Sequence, residues 1–344
     1  MVINSISTVL NDHLKKAFYY YDLPGLAVHM GINEEDYYFV FGWKNILNKT
    51  PLEHGSIFHM ASVSKLFVGT AILKLWENNL LSIDGKVCEY LPKFRMADNR
   101  YKDITLRHLL SHTSGMPDVE NYHWDKPETD SKALMRYIQS SEVADAHLIY
   151  SPGEGKFAYS NMGYEILGGV ISSVSGSSFE EYVEKHIFAP LEMLDTDLLT
   201  FRRDMSTVCS PHEKTAENRF SIAQHFPYNR AHGPSSTLTS NINDMAKWSK
   251  AVLNGKILLP ETMSEAWKTH SIVSNNKEHI CLSWFKRKQN GHLLYGHEGN
   301  DDGFRASHWV CPELKVSITV CSNFTKAPVK RINKEVFNII YEML

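Results

Sequence analysis

Ser62-Val63-Ser64-Lys65 runs directly into an apolar stretch carrying Leu66, Ala71, Ile72, Leu75 and Trp76. A serine and a lysine three positions apart must therefore sit at the mouth of a helix whose body is destined for the interior. On a helix, positions i and i+3 share a face, so Lys65 can reach back to the Ser62 oxygen. A serine near a helix N-terminus also meets unpaired backbone N–H groups and the positive end of the helix dipole. Both effects favour negative charge on oxygen. A serine hydroxyl needs that help, being a poor nucleophile until a neighbour takes its proton and the oxyanion it creates is stabilised. Ser64 points to a different face and lies too close to Lys65 along the chain. Ser62 is the candidate nucleophile.

Two further pieces lie far downstream. Tyr159-Ser160-Asn161 follows a Pro152-Gly153-Glu154-Gly155 turn, and His297-Glu298-Gly299 sits in a β-rich run. Ser-x-x-Lys alone is common; the three pieces in this order are not. Gly-x-Ser-x-Gly is absent, which argues against an α/β-hydrolase nucleophile elbow. His108 and His112 stand at i and i+4 but lack the glutamate of a His-Glu-x-x-His site, and His54 and His59 have no better claim. No metal or cofactor is expected. Asp301-Asp302 reads as a solvated turn.

The 344 residues are 43% hydrophobic and 22% charged with a net charge of −3, which suits a soluble globular protein with a substantial core. No basic run points to nucleic acid. Residues 1–7 lack a basic n-region and an apolar h-region, and no apolar run is long enough to span a bilayer. Five cysteines with no CxxC pair read as reduced, mostly buried thiols. A cytoplasmic protein is expected, and oligomeric state has no signature here.

Ile6, Val9, Leu10, Leu14 and Phe18 fall at helical spacing, and Pro24-Gly25 is a stop signal. Residues 26–30 and 37–41 predict a hairpin around Asn33-Glu34-Glu35-Asp36. Residues 80–239 read as helices and loops, with Thr105 and Ser178 as candidate N-caps. A helix over 244–253 follows, then β-rich runs at 280–285, 292–297, 306–310 and 316–321. A final helix carries Ile332, Val336, Ile339, Ile340 and Met343. The division predicted is an α/β lobe formed by residues 1–79 and 240–344, with a mainly helical insert over 80–239.

The stretches Phe58-His59-Met60-Ala61 before Ser62, Ile104-Thr105-Leu106-Arg107-His108-Leu109-Leu110-Ser111-His112-Thr113-Ser114-Gly115, Ser151-Pro152-Gly153-Glu154 before Tyr159, Ser236-Thr237-Leu238-Thr239 before Asp244, and Gly296 to Gly299 complete a pattern. It resembles the class C β-lactamase-like serine hydrolases, which include DD-peptidases, D-amino-acid peptidases, esterases and some acyltransferases. The resemblance covers nearly the whole chain. It implies an antiparallel sheet flanked by the N- and C-terminal helices, an inserted all-helical region, and an active site between them. By motif it also implies a Ser62 acyl-enzyme, with Lys65 and Tyr159 as general base and acid. Asn161 would hydrogen-bond substrate or the lysine, and the backbone N–H groups of Ser62 and Asn300, just after Gly299, would form the oxyanion hole. Which of Lys65 and Tyr159 is the resting base stays open, since tyrosine titrates near pH ~10 without nearby positive charge.

β-Lactamases of this type carry Lys-Thr-Gly where this chain has His297-Glu298-Gly299. A mostly neutral histidine attracts carboxylates less. With Glu298, Asp301 and Asp302 adding negative charge, the expected substrates are small or short-peptide esters and amides, neutral or amine-bearing, with weak β-lactam turnover. Acyl transfer to a non-water acceptor, or a β-lactam-binding or sensing module without efficient turnover, are the alternatives.

Overall fold

The computed structural model describes residues 2–273 and 278–344. Its frame is a nine-stranded antiparallel sheet. In chain order the strands are β1 Gly25–Ile32, β2 Glu35–Asn45, β3 Thr50–Pro51, β4 Ser271–Val273, β5 Glu278–Ile280, β6 Phe285–Gln289, β7 His292–Asp301, β8 Phe304–Cys311 and β9 Val316–Ser322. Across the sheet they run β3-β2-β1-β9-β8-β7-β6-β5-β4. The two ends of the chain therefore meet where β1 pairs with β9, Leu26 opposite Ser322 and Ile32 opposite Val316.

Five helices matter for the site: α1 Val2–Tyr20, α2 Ser64–Glu77, α3 Asn161–Ser175, α4 Ile242–Leu253 and α5 Val329–Met343. Side chains alternate between the faces of a strand. Leu26, Val28, Met30, Trp309, Ile318 and Val320 face the terminal helices, which bury Ile6, Leu10 and Leu14 of α1 and Ile332, Val336 and Ile340 of α5. Each such aliphatic side chain contributes about 1.5–3 kcal/mol on burial. Val9 is exposed and Phe18 only half-buried, so the α1 stripe is narrower than its periodicity predicts. The sheet and α5 cover only one side of α1.

Ala27, Ala306, Val310 and Cys321 point the other way, into the core shared with α2, α3 and α4. Here α2 departs from expectation. It is buried on nearly every side from Ser64 to Leu73, with Trp76 only half-buried, as befits a helix enclosed by other elements rather than lying on a surface. The predicted strand over 280–285 is instead the junction between β5 and β6. Ser283, at φ +66, turns the chain there, and its hydroxyl accepts from Tyr164 of α3 at 2.8 Å. The 33–36 turn is tighter than its polar run suggests, because Ile32 already pairs with Glu35. Thr105 and Ser178 do cap helices, in reciprocal boxes with His108 and Glu181.

β6 pairs with β7 only as far as Phe285 opposite Gly296. Residues 297–301 of β7 thus keep a free edge on that side, among the described residues. The turn leading into α2 packs against this stretch. Four of the five cysteines are buried, and all are free thiols. No described helix is long and apolar enough to cross a membrane.

Candidate active site

The chain enters α2 through a 3-10 turn, Ala61–Val63. Ala61 has φ +48, a left-handed conformation disfavoured for a residue with a Cβ. The surroundings impose it. Met60 N–H donates to the Leu238 carbonyl at 2.8 Å. Ser64 Oγ donates to the Ala61 carbonyl at 2.6 Å and accepts from Leu238 N–H at 2.9 Å. Ser64 is therefore a brace for the turn, and Ser62 is half-buried at the cleft. β7 crosses so near that a Cβ on Gly299 would lie 2.2 Å from the Met60 carbonyl oxygen. Only glycine lets the backbone at 299–300 approach the backbone at 60–62.

Lys65 Nζ donates to Ser62 Oγ at 2.9 Å and to the Ser235 carbonyl at 2.7 Å. The lysine is 0% exposed and lies over the rings of Tyr159 and Tyr164. Burial lowers its pKa to about 8, against the opposing pull of Glu165, Asp118 and Asp301. Tyr159 faces the same cleft as Ser62, and burial pushes its phenol well above its usual range, against the opposing effect of Ser62. Ser62 thus lies between an amine that readily loses its proton and a phenol that keeps one.

The ring of Tyr159 stacks on His112, centroids 4.3 Å apart. His112 Nδ1 accepts from Ser160 N–H at 3.1 Å, and burial keeps this imidazole uncharged. His112 lies past the end of the helix Leu106–Leu110, at φ +53, while His108 closes the cap of that helix. The two do not form a metal-binding helix face. Among the described residues no cluster of three histidine, cysteine, aspartate or glutamate side chains is placed to hold a metal. Asn161 opens α3, capped by Ser160, which accepts from Gly163 N–H at 3.0 Å. The Asn161 amide nitrogen donates to Asp118 at 2.9 Å, so its carbonyl oxygen is the atom that would accept from a substrate amide or from Lys65.

The facing wall is β7. His297 Nδ1 donates to the Glu298 carbonyl at 2.6 Å, which leaves Nε2 as a bare acceptor, buried and without a partner among the described residues. Burial, reinforced by Lys65, lowers its pKa to about 3, so it is uncharged at neutral pH. Glu298 accepts from Trp309 Nε1 at 2.7 Å; burial raises its pKa, opposed by Arg287, which stacks on Trp309 at 4.0 Å. Lys330 pairs with Glu278 at 2.7 Å.

A cleft of about 420 Å³ runs between these walls. Of the residues singled out in the sequence, Ser62, Tyr159, Asn161, His297, Glu298, Asn300 and Asp301 line it. Lys65 lies buried beneath Ser62, and Gly299 sets the approach of the walls. Ser236 lines it from the Ser236-Thr237-Leu238-Thr239 stretch, and Tyr122, Phe285, Trp309 and Lys330 also line it and carried no motif of their own. Asp118, which holds the Asn161 amide, was equally unmarked, and His112, which stacks on Tyr159, was marked only as half of a histidine pair and within the 104–115 stretch.

A family model described as Beta-lactamase matches residues 10–339. The chain belongs to the beta-lactamase family. Within its class C-like serine hydrolase and penicillin-binding protein branch, Protein flp of Staphylococcus aureus (strain MW2) is 26% identical over 345 residues, covering 97% of this chain and 66% of that protein. The chain therefore spans just under two thirds of the length of this relative. The octameric penicillin-binding protein homologue from Pyrococcus abyssi superposes with a TM-score of 0.84 at 24% identity, covering 97% of this chain and 77% of that one. D-amino acid amidase from Ochrobactrum anthropi, complexed with D-phenylalanine, superposes at 0.83 with 20% identity, covering 100% and 99%. These neighbours establish the family fold: a large antiparallel sheet, terminal helices and a helical insert.

Proposed function

We propose that this member of the family is a serine hydrolase that cleaves small ester or amide, peptide-like substrates through an acyl-enzyme on Ser62. The observation that carries this reading is the 2.9 Å hydrogen bond from the wholly buried Lys65 Nζ to Ser62 Oγ. Neutral Lys65 takes the Ser62 proton as Oγ attacks the carbonyl carbon. The oxyanion forms against the backbone N–H groups of Ser62 and Asn300, an arrangement typically contributing about 10²–10³ in rate. Tyr159 protonates the leaving amine or alkoxide as the scissile bond breaks, and regains a proton from the Lys65 ammonium. Water then attacks the ester by the same groups in reverse, releasing the acid and free Ser62. The opposite pKa directions of Lys65 and Tyr159 favour the lysine as resting base and the tyrosine as acid.

For substrate, the reading is a neutral or amine-bearing acyl group and slow β-lactam turnover. Two things support it: an uncharged His297 where the β-lactamase motif has lysine, and the fold neighbour named as a D-amino acid amidase. The test is intact-protein mass after exposure to a fluorophosphonate, for wild type and Ser62→Ala in parallel. A single adduct on wild type and none on the variant is expected. A folded wild type that takes no adduct would sink the hydrolase reading and leave a binding module.

A further inference from the structure

Asp301, the last residue of β7, has its carboxylate held from two sides. His59 Nε2 donates to Oδ2 at 2.7 Å, and Ser236 Oγ donates to the same oxygen. His59 is itself fixed, 0% exposed and wedged between the rings of Phe226 and Phe304. Asp301 lines the cleft with Ser62, and its second oxygen, Oδ1, has no hydrogen-bond partner among the described residues. Asp301 also directly follows Asn300, placing it one residue from the proposed oxyanion N–H.

The nearby cations are engaged elsewhere. Arg305 donates to the backbone carbonyls of Asp301 and Phe304 at 2.7 Å. It pairs in register with Asn300, so its side chain leaves the sheet on the face opposite that of Asp301. Lys330 is paired with Glu278, and Lys65 with Ser62 and the Ser235 carbonyl. A carboxylate oxygen held rigidly at a cleft with open lone pairs calls for a charged N–H donor.

We propose that Asp301 Oδ1 is a subsite for a primary ammonium borne by the substrate close to its scissile carbonyl. His59 and Ser236 are the residues that aim it. The inference rests on the hydrolase reading for what becomes of the ligand, though not for its binding. Asp301, which the sequence presents as half of a solvated acidic turn, is then a specificity-determining residue.

The test separates the two. In the Ser62→Ala protein, D- and L-phenylalanine amide are titrated by calorimetry beside 3-phenylpropanamide, which lacks only the ammonium. At least one of the amino-acid amides should bind about 10–100-fold more tightly than the neutral amide, the usual worth of a hydrogen-bonded charge. Adding Asp301→Asn should bring that ratio close to one, and Asp301→Glu should restore part of it. Equal binding of charged and neutral amides by Ser62→Ala overturns the subsite, whether or not the Asp301 variants fold. So does an Asp301→Asn protein that loses affinity for both amides alike, since the carboxylate would then only brace His59 and Ser236. A wild type that takes no fluorophosphonate yet keeps the ratio retains the subsite and loses the hydrolase; an adduct without the ratio does the reverse.

Discussion

On one wall of the cleft, the wholly buried Lys65 and the half-buried Tyr159 lie against Ser62. On the other, residues 297–301 of β7 offer an unpaired strand edge, an uncharged imidazole and a carboxylate held by two donors. The helical wall owes its reactivity to desolvation, which moves one pKa down and the other up. The sheet wall keeps its polar groups at the cleft, where they meet a ligand before any bond is made. The contrast teaches that changes on the helical wall should strike the chemical steps, and changes on the sheet wall chiefly the choice of substrate. Gly299 is the exception, because it is where the two walls touch.

The largest effect should come from Lys65→Met. Single-turnover acylation should fall by about 10³-fold or more, as losses of a proton-accepting partner do in comparable sites. In wild type the same lysine sets the pH profile. Its folded pKa is lowered to about 8, and only the neutral amine accepts a proton, so acylation should rise with pH up to about 8 and level off above. A flat profile from pH 6 to 9 would remove Lys65 as the base. Tyr159→Phe should come next, slowing acylation, deacylation or both by about 10²–10⁴-fold; a near-normal rate in stopped-flow turnover would leave Lys65 to move the proton alone.

Gly299→Ala probes the join. Its Cβ would meet the Met60 carbonyl oxygen at 2.2 Å, so the walls must part and the oxyanion site open. The expected loss is about 10²–10³-fold in kcat, as for removal of an oxyanion donor. A change confined to KM would show that the N–H groups stay aligned. His297→Lys should be the mildest, raising kcat/KM for an anionic ester over its neutral counterpart by about tenfold through one added charge-assisted contact. If it instead cost as much as Lys65→Met, the division of labour between the walls would be wrong.

Much of this was legible in the chain because it is local. Ser62 and Lys65 are three residues apart on one helix start; the caps at Thr105 and Ser178 and the hairpin of residues 26–30 and 37–41 follow from neighbours in sequence. The misses around the site are long-range. His112 reads as half of an i, i+4 pair until the chain folds and stacks it on Tyr159, 47 positions further on. Asn161 gives no sign of the Asp118 carboxylate, 43 positions away, that holds its amide nitrogen. Asp301 looks solvated until His59, 242 positions away, reaches it. Even the strand predicted over 280–285 fails for this reason, since Ser283 turns where Tyr164 from α3 holds it.

By itself, then, the sequence determined the residue types and the short-range geometry: a serine with its lysine, helices capped at Thr105 and Ser178, and a glycine before Asn300. Helix periodicity and capping act over three or four residues and need no distant partner. Tertiary structure decided the rest. It closed β1 on β9, left β7 with a free edge, buried Lys65 deeply enough to shift its proton, and chose which carboxylate faces the cleft. Desolvation and Coulomb interactions depend on what surrounds a group in space, and residues far apart in the chain supply those surroundings here.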